Sequence, residues 1–110
     1  MDLRRLLFPL FMLGAIGLAP ASAQELGSAR AGHDFAMDIC AECHWVSDEQ
    51  FVIPESEAPS FFQVADDPAV TATALRVFFG TPHENMPNIM LSDDERDNVI
   101  AYILSLRKQQ

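Results

Sequence analysis

The pentapeptide Cys40-Ala41-Glu42-Cys43-His44 constrains this chain more than any other feature, because it holds both cysteines of a 110-residue sequence. A disulfide across so short a loop would restrict little of the unfolded chain, so a structural bridge is a poor use of the pair. Three other chemistries use the spacing. Two thiols at i and i+3 add to the two vinyl groups of one porphyrin, and the residue immediately after them, His44, reaches the iron with an imidazole nitrogen; this is the covalent haem c pattern. A Cys-x-x-Cys redox dithiol is the second, although such motifs follow a strand in a βαβ setting and the sequence shows no strand-helix alternation. Zinc is the third, with Cys40, Cys43, His44 and a distant His33 or His83 as ligands, but adjacent Cys43 and His44 chelate a tetrahedral ion awkwardly.

The N-terminus favours the haem reading. Arg4 and Arg5 precede an uncharged apolar run of 14 residues, Leu6 to Ala19, and Ala21-Ser22-Ala23 follows as a small-x-small cleavage site. This is the pattern of a secretory signal peptide, and export leads to the compartment where haem c is attached. The run is shorter than the ~20 residues of a spanning helix, and Pro9, Gly14, Gly17 and Pro20 weaken it further. The expected organisation is a signal peptide over 1–23 and one domain over 24–110, located in the bacterial periplasm with no membrane span in the mature chain. An uncleaved N-terminal anchor is the alternative.

Charge narrows the partners. With 7 Lys+Arg against 16 Asp+Glu, and a net charge of -9, the chain lacks the basic face that binds nucleic acid or an anionic membrane. Cleavage after Ala23 leaves 87 residues with a net charge of -10. A domain this small commonly needs a disulfide, metal or cofactor to complete its core.

The remaining sequence reads as helices. Ser28 is an N-cap for a helix carrying Gly32, Phe35, Ala36, Ile39, Cys40 and Cys43 at helical spacing, with both thiols at its C-terminal end. Trp45 to Pro59 has no sustained period and reads as an irregular segment along a cofactor edge. Ser60 caps a short piece ending near Asp66. Asp67 with Pro68 opens another helix that Gly80 ends. Ser92 to Glu95 is a capping box for a last helix that buries Val99, Ile100, Ile103 and Leu106 and closes on Arg107 and Lys108, matching the helix dipole. No stretch alternates long enough to argue for a sheet.

Between the last two helices, Gly80-Thr81-Pro82-His83-Glu84-Asn85-Met86-Pro87-Asn88-Ile89-Met90 is kept extended by its prolines and glycine, so that a methionine in it is free to turn its thioether inward. With these residues in view, the chain resembles a small class I c-type cytochrome, a monohaem family, from about Gly32 to Leu106. The resemblance implies an all-α class I cytochrome c fold, three to four helices and long loops around one covalently bound haem c. It implies thioether bonds from Cys40 and Cys43, His44 as proximal iron ligand and Met86, before Pro87, as distal ligand. Gly32 matches the small residue where the first and last helices cross, and Tyr102 the aromatic on the last helix. The family's aromatic four residues after that glycine is replaced by Ala36, with Phe35 beside it. A proline carbonyl orients the proximal imidazole in the family; Pro54 and Pro59 both qualify, and Ala58-Pro59-Ser60-Phe61 is the closer context.

Plainer readings stand beside these. Met90 competes with Met86 but lacks a following proline, His83 reads as a surface loop residue, His33 as solvated near Asp34, and Trp45, directly after His44, either as apolar packing or as a residue that packs on the haem edge or donates to a propionate. Phe61, Phe62, Phe78 and Phe79 serve as core or as cofactor walls. Two axial ligands leave no open site for substrate, so the implied role is a single-electron carrier of positive potential and not an enzyme, steered to a basic patch on a redox partner protein. If Met86 is not a stable ligand, a five-coordinate sensor or peroxidase-like protein is the alternative; a Cys-x-x-Cys thiol oxidoreductase is the further one.

Overall fold

The computed structural model describes Gly17, residues 27–86 and residues 89–108. The signal-peptide reading falls on residues 1–23 and so lies, Gly17 apart, outside the described residues. Among those described there are four helices and no strand: α1 (Ala29–Ile39), α2 (Phe61–Asp66), α3 (Ala72–Phe79) and α4 (Asp93–Ser105). This is the all-α architecture that the sequence implies.

Local side-chain bonds start every helix. Ser28, Ser60, Thr71 and Ser92 each accept the N–H of the third residue onward, which satisfies donors that have no intrahelical partner. In α2 and α4 the bond is reciprocated, since Gln63 and Glu95 accept the cap residue's own N–H, at 2.9 and 2.8 Å. Asp93, Asp94 and Glu95 place negative charge on the N-terminal end of α4, where the dipole favours it.

The core forms where α1, α2 and α3 pack on α4. Gly32 and Ala36, one turn apart on α1, are both buried and meet the face of α4 that carries Val99, Tyr102 and Ile103. A Cβ on Gly32 would overlap the Asn98 carbonyl and come 2.9 Å from Tyr102 Cβ, so the two backbones cross in contact. Asn98 reinforces the crossing by accepting the Ser28 N–H through Oδ1 at 2.7 Å. Gly27 is a second close approach, against the Asp97 backbone. The fully buried Ala36 is the small residue that this crossing accommodates, while Phe35 packs half-buried at the edge of the core.

Three local expectations are corrected. The first helix stops at Ile39, so Cys40 is its C-cap and Cys43 lies in the following turn. Asp67-Pro68 opens a turn and not a helix: the Asp67 carboxylate accepts the Ala69 N–H at 2.9 Å and its carbonyl accepts from Val70 at 3.0 Å, leaving Thr71 to cap α3. Arg107 and Lys108 lie past the end of α4. Arg107 instead donates from Nε to the Ala65 carbonyl and from Nη2 to that of Val70, at 2.8 and 2.5 Å, tying α2 and the turn after it to the chain's end.

Candidate functional site

The chain leaves α1 after Ile39 through two carbonyls that each accept twice. Cys40 and Ala41 both donate to the Ala36 carbonyl, at 2.8 and 2.9 Å, and Cys43 and His44 both donate to that of Cys40, at 3.1 and 2.9 Å. This turn brings both thiols and the imidazole to one cavity of about 560 Å³. Its walls are apolar, from Phe61 and Val64 on α2, Val70 before α3, Leu75, Phe78 and Phe79 on α3 and Ile89 in the late loop, with Asp38 and Glu42 also on the lining.

His44 is held in one tautomer and one orientation. Its Nδ1 is 2.7 Å from the Pro59 carbonyl oxygen, which only accepts, so Nδ1 carries a proton and Nε2 is the nitrogen left for a ligand. The Phe61 ring packs beside it, with ring centroids 5.5 Å apart. Of the two prolines that the sequence offers, Pro59 makes the bond.

The backbone of the motif is fastened carbonyl by carbonyl. Gln50, on the irregular segment, is buried, donates from Nε2 to the Ala41 and His44 carbonyls, both at 3.2 Å, and accepts the Val46 N–H at 2.9 Å. The Glu55 N–H reaches the Glu42 carbonyl at 3.1 Å and Ser56 Oγ that of Cys43 at 2.8 Å. Phe61 N–H takes the Trp45 carbonyl at 2.8 Å, and the Tyr102 hydroxyl takes that of Val46 at 2.5 Å. Burial, foremost, raises the Tyr102 pKa, a bond with Ser47 opposes this, and the charges of Asp48 and Glu49 add to the rise. Gln50 carried no sequence signal, because nothing in its neighbourhood marks a glutamine that serves a loop nine residues back. Gln50→Leu keeps the volume but strands several buried polar groups, each costing about 1–3 kcal/mol when unpaired. A drop of about 3 kcal/mol in the unfolding free energy of the haem-loaded protein is expected from denaturant titration; a change below about 0.5 kcal/mol would show that water replaces these bonds freely.

Met86 lines the cavity and is half-buried, whereas Met90 is 94% exposed. The loop that carries Met86 is pinned to α3 at its start: Thr81 Oγ1 donates to the Val77 carbonyl at 2.7 Å and His83 Nε2 to that of Phe78 at 2.6 Å. The His83 ring stacks on Phe78 with centroids 3.6 Å apart, so this partly exposed loop residue also fastens the loop to α3. His33 differs from expectation. It is half-buried, meets Tyr102 edge-on at 5.2 Å between centroids and bonds Asp34 at 3.0 Å. Both distant histidines that a zinc site would recruit are thus engaged elsewhere, and no group of three or more His, Cys, Asp or Glu suited to a metal ion occurs among the described residues. Trp45 is exposed where apolar packing was expected, while Phe61, Phe78 and Phe79, but not Phe62, line the cavity.

Thiol chemistry fits the site poorly. Burial, with Cys43 adding to it, pushes the Cys40 thiol up to about 11, whereas a redox dithiol relies on a thiolate near neutral pH. A flat apolar macrocycle fits it well, since two thiols, an imidazole with its Nδ1 bonded, and a thioether all border one greasy cavity.

No family model and no solved structure matches the chain. Over 94 residues it is 38% identical to cytochrome c-552 of Bradyrhizobium diazoefficiens, an alignment that spans 84% of this chain and 88% of that protein. At that identity and coverage, and with its helical fold and paired cysteines, the chain belongs to the monohaem class I c-type cytochromes, a family that carries covalently bound haem c.

Proposed function

We propose that the chain is an exported, periplasmic electron carrier whose single haem c is held by Cys40 and Cys43 and ligated by His44 and Met86. When bound, the haem supplies a one-electron couple. The residues around it set how that couple behaves. Cys40 and Cys43 anchor it to the turn after α1. The Pro59 carbonyl keeps the proton on His44 Nδ1 and thereby keeps Nε2 available and aimed. The Met86 thioether, soft and uncharged, would favour the ferrous state, and the apolar walls would disfavour the extra ferric charge, so a positive reduction potential is expected. With His44 and Met86 both holding the iron, no coordination site would be left for a substrate, which would separate a carrier from an enzyme.

The observation that carries this reading is that the Pro59-oriented imidazole, both thiols and Met86 border the same apolar cavity. Residues 1–23 act in it as a signal peptide and 24–110 as the cytochrome domain; no helix among the described residues is long and apolar enough to cross a membrane. The test is a pyridine haemochrome spectrum of the protein expressed with its leader. One haem per chain, with both vinyl groups saturated, is expected. A colourless protein with two titratable thiols would instead establish the thiol oxidoreductase.

A further inference from the structure

Phe51, Val52 and Ile53 are exposed at 97%, 69% and 73%. Three consecutive large apolar side chains held in water are unusual outside a binding surface. This tripeptide is not a slack loop tip. Gln50 is buried on one side of it and also donates to the Val52 carbonyl at 2.9 Å, while Glu55 N–H and Ser56 Oγ are bonded to the Glu42 and Cys43 carbonyls on the other. The tripeptide is therefore presented rigidly, one hydrogen bond away from the motif that carries the cofactor's thioether cysteines.

Its surroundings select the occupant. Asp48, Glu49, Glu55 and Glu57 flank the tripeptide, all exposed, and residues 31–75 carry nine acidic side chains with no Lys or Arg. A second copy would set this acidic border against itself, and an anionic lipid surface would be repelled by it. We propose that Phe51-Val52-Ile53 and its carboxylate border are the docking surface for a redox partner protein whose facing surface is an apolar depression rimmed by Lys and Arg. The proposal rests on the electron-carrier reading and adds where, and with what chemistry, the partner meets the chain. The carboxylates steer the encounter and the apolar tip holds it once formed. One electron then passes from the reduced protein to the oxidised partner with no bond made or broken.

The haem-loaded full chain tests this, with respiratory membranes of the source organism as the protein oxidant and ferricyanide as the small one. Combined Phe51→Ser, Val52→Thr and Ile53→Thr is expected to slow oxidation by membranes about tenfold, and oxidation by ferricyanide by less than about twofold. Combined Glu49→Gln, Glu55→Gln and Glu57→Gln is expected to flatten the fall of the membrane rate with ionic strength. An apolar variant that reacts with membranes at the wild-type rate overturns the proposal. So does a wild-type dimer that the variant separates without a change in rate, which assigns the tip to a second copy. Loss of binding to phosphatidylcholine vesicles, with an unchanged rate on detergent-solubilised oxidase, assigns it to lipid and overturns the proposal too. Wild-type protein that ferricyanide oxidises and membranes do not would defeat the electron-carrier reading itself.

Discussion

Gly32→Val is expected to leave no folded haem protein, and Gly32→Ala to lower the unfolding free energy by at least about 3 kcal/mol, out of a total of about 5–15 kcal/mol for a domain. A methyl group at this position would run into the Asn98 carbonyl and Tyr102 Cβ, which are backbone and near-backbone atoms that no rotamer change removes. Relief requires α1 and α4 to separate. Separation breaks the 2.7 Å bond from Ser28 N–H to Asn98 and draws Tyr102 away from the Val46 carbonyl, so the damage spreads from the crossing to the peptide that follows His44. Gly80→Ala is the control. Its Cβ would meet its nearest neighbour, the Arg76 carbonyl oxygen, at 3.4 Å, and its φ of -89° is open to any residue, so a change under about 1 kcal/mol is expected. Denaturant titration of the holoproteins measures both. Equal costs at the two glycines would mean that the helix crossing tolerates a wider gap than its geometry indicates.

What was legible in the sequence follows from the range over which each signal acts. Ser28, Ser60 and Ser92 cap helices through bonds to residues three positions away, so the residues that decide the matter are adjacent in the chain. The same local logic misplaced the start of α3, because Asp67-Pro68 suits a helix N-terminus and a turn equally well. The choice went to the turn that the Asp67 carboxylate closes on Ala69. Arg107 looked like a dipole partner at a helix end, but the carbonyls of Ala65 and Val70, brought near only by the packing of α2 and α3 on α4, capture it. Gln50 and His83 were illegible for the related reason that each serves a backbone carbonyl, and a carbonyl has no sequence identity to be read. At the site, the cysteines and His44 are written within one pentapeptide, whereas the approach of Pro59 to His44, fifteen residues on, is decided by the path of the intervening loop.

The second large effect concerns the distal side of the cavity. Met86→Ala is expected to abolish the weak long-wavelength charge-transfer band of methionine-to-iron ligation in the ferric protein and to lower the reduction potential, while Met90→Ala leaves both unchanged. The asymmetry comes from placement. Met86 is half-buried on the cavity wall, three residues after the point where His83 fastens the loop to the end of α3, and Met90 is 94% exposed. If Met86 is the ligand proposed above, removing its thioether would take away the donor that favours the ferrous ion and would leave the iron open to water. Added imidazole or cyanide should then bind the Met86→Ala protein readily, and bind the wild type only as fast as the thioether leaves. The band and the exogenous-ligand titration together separate three cases. Loss of the band in Met86→Ala alone identifies the distal ligand as Met86. Loss in Met90→Ala alone would require the loop to invert, carrying an exposed side chain inward past Ile89, and would refute the assignment. A wild type that lacks the band and binds cyanide at once would be five-coordinate, and its chemistry would be that of a gas sensor or a peroxidase and not of an electron carrier.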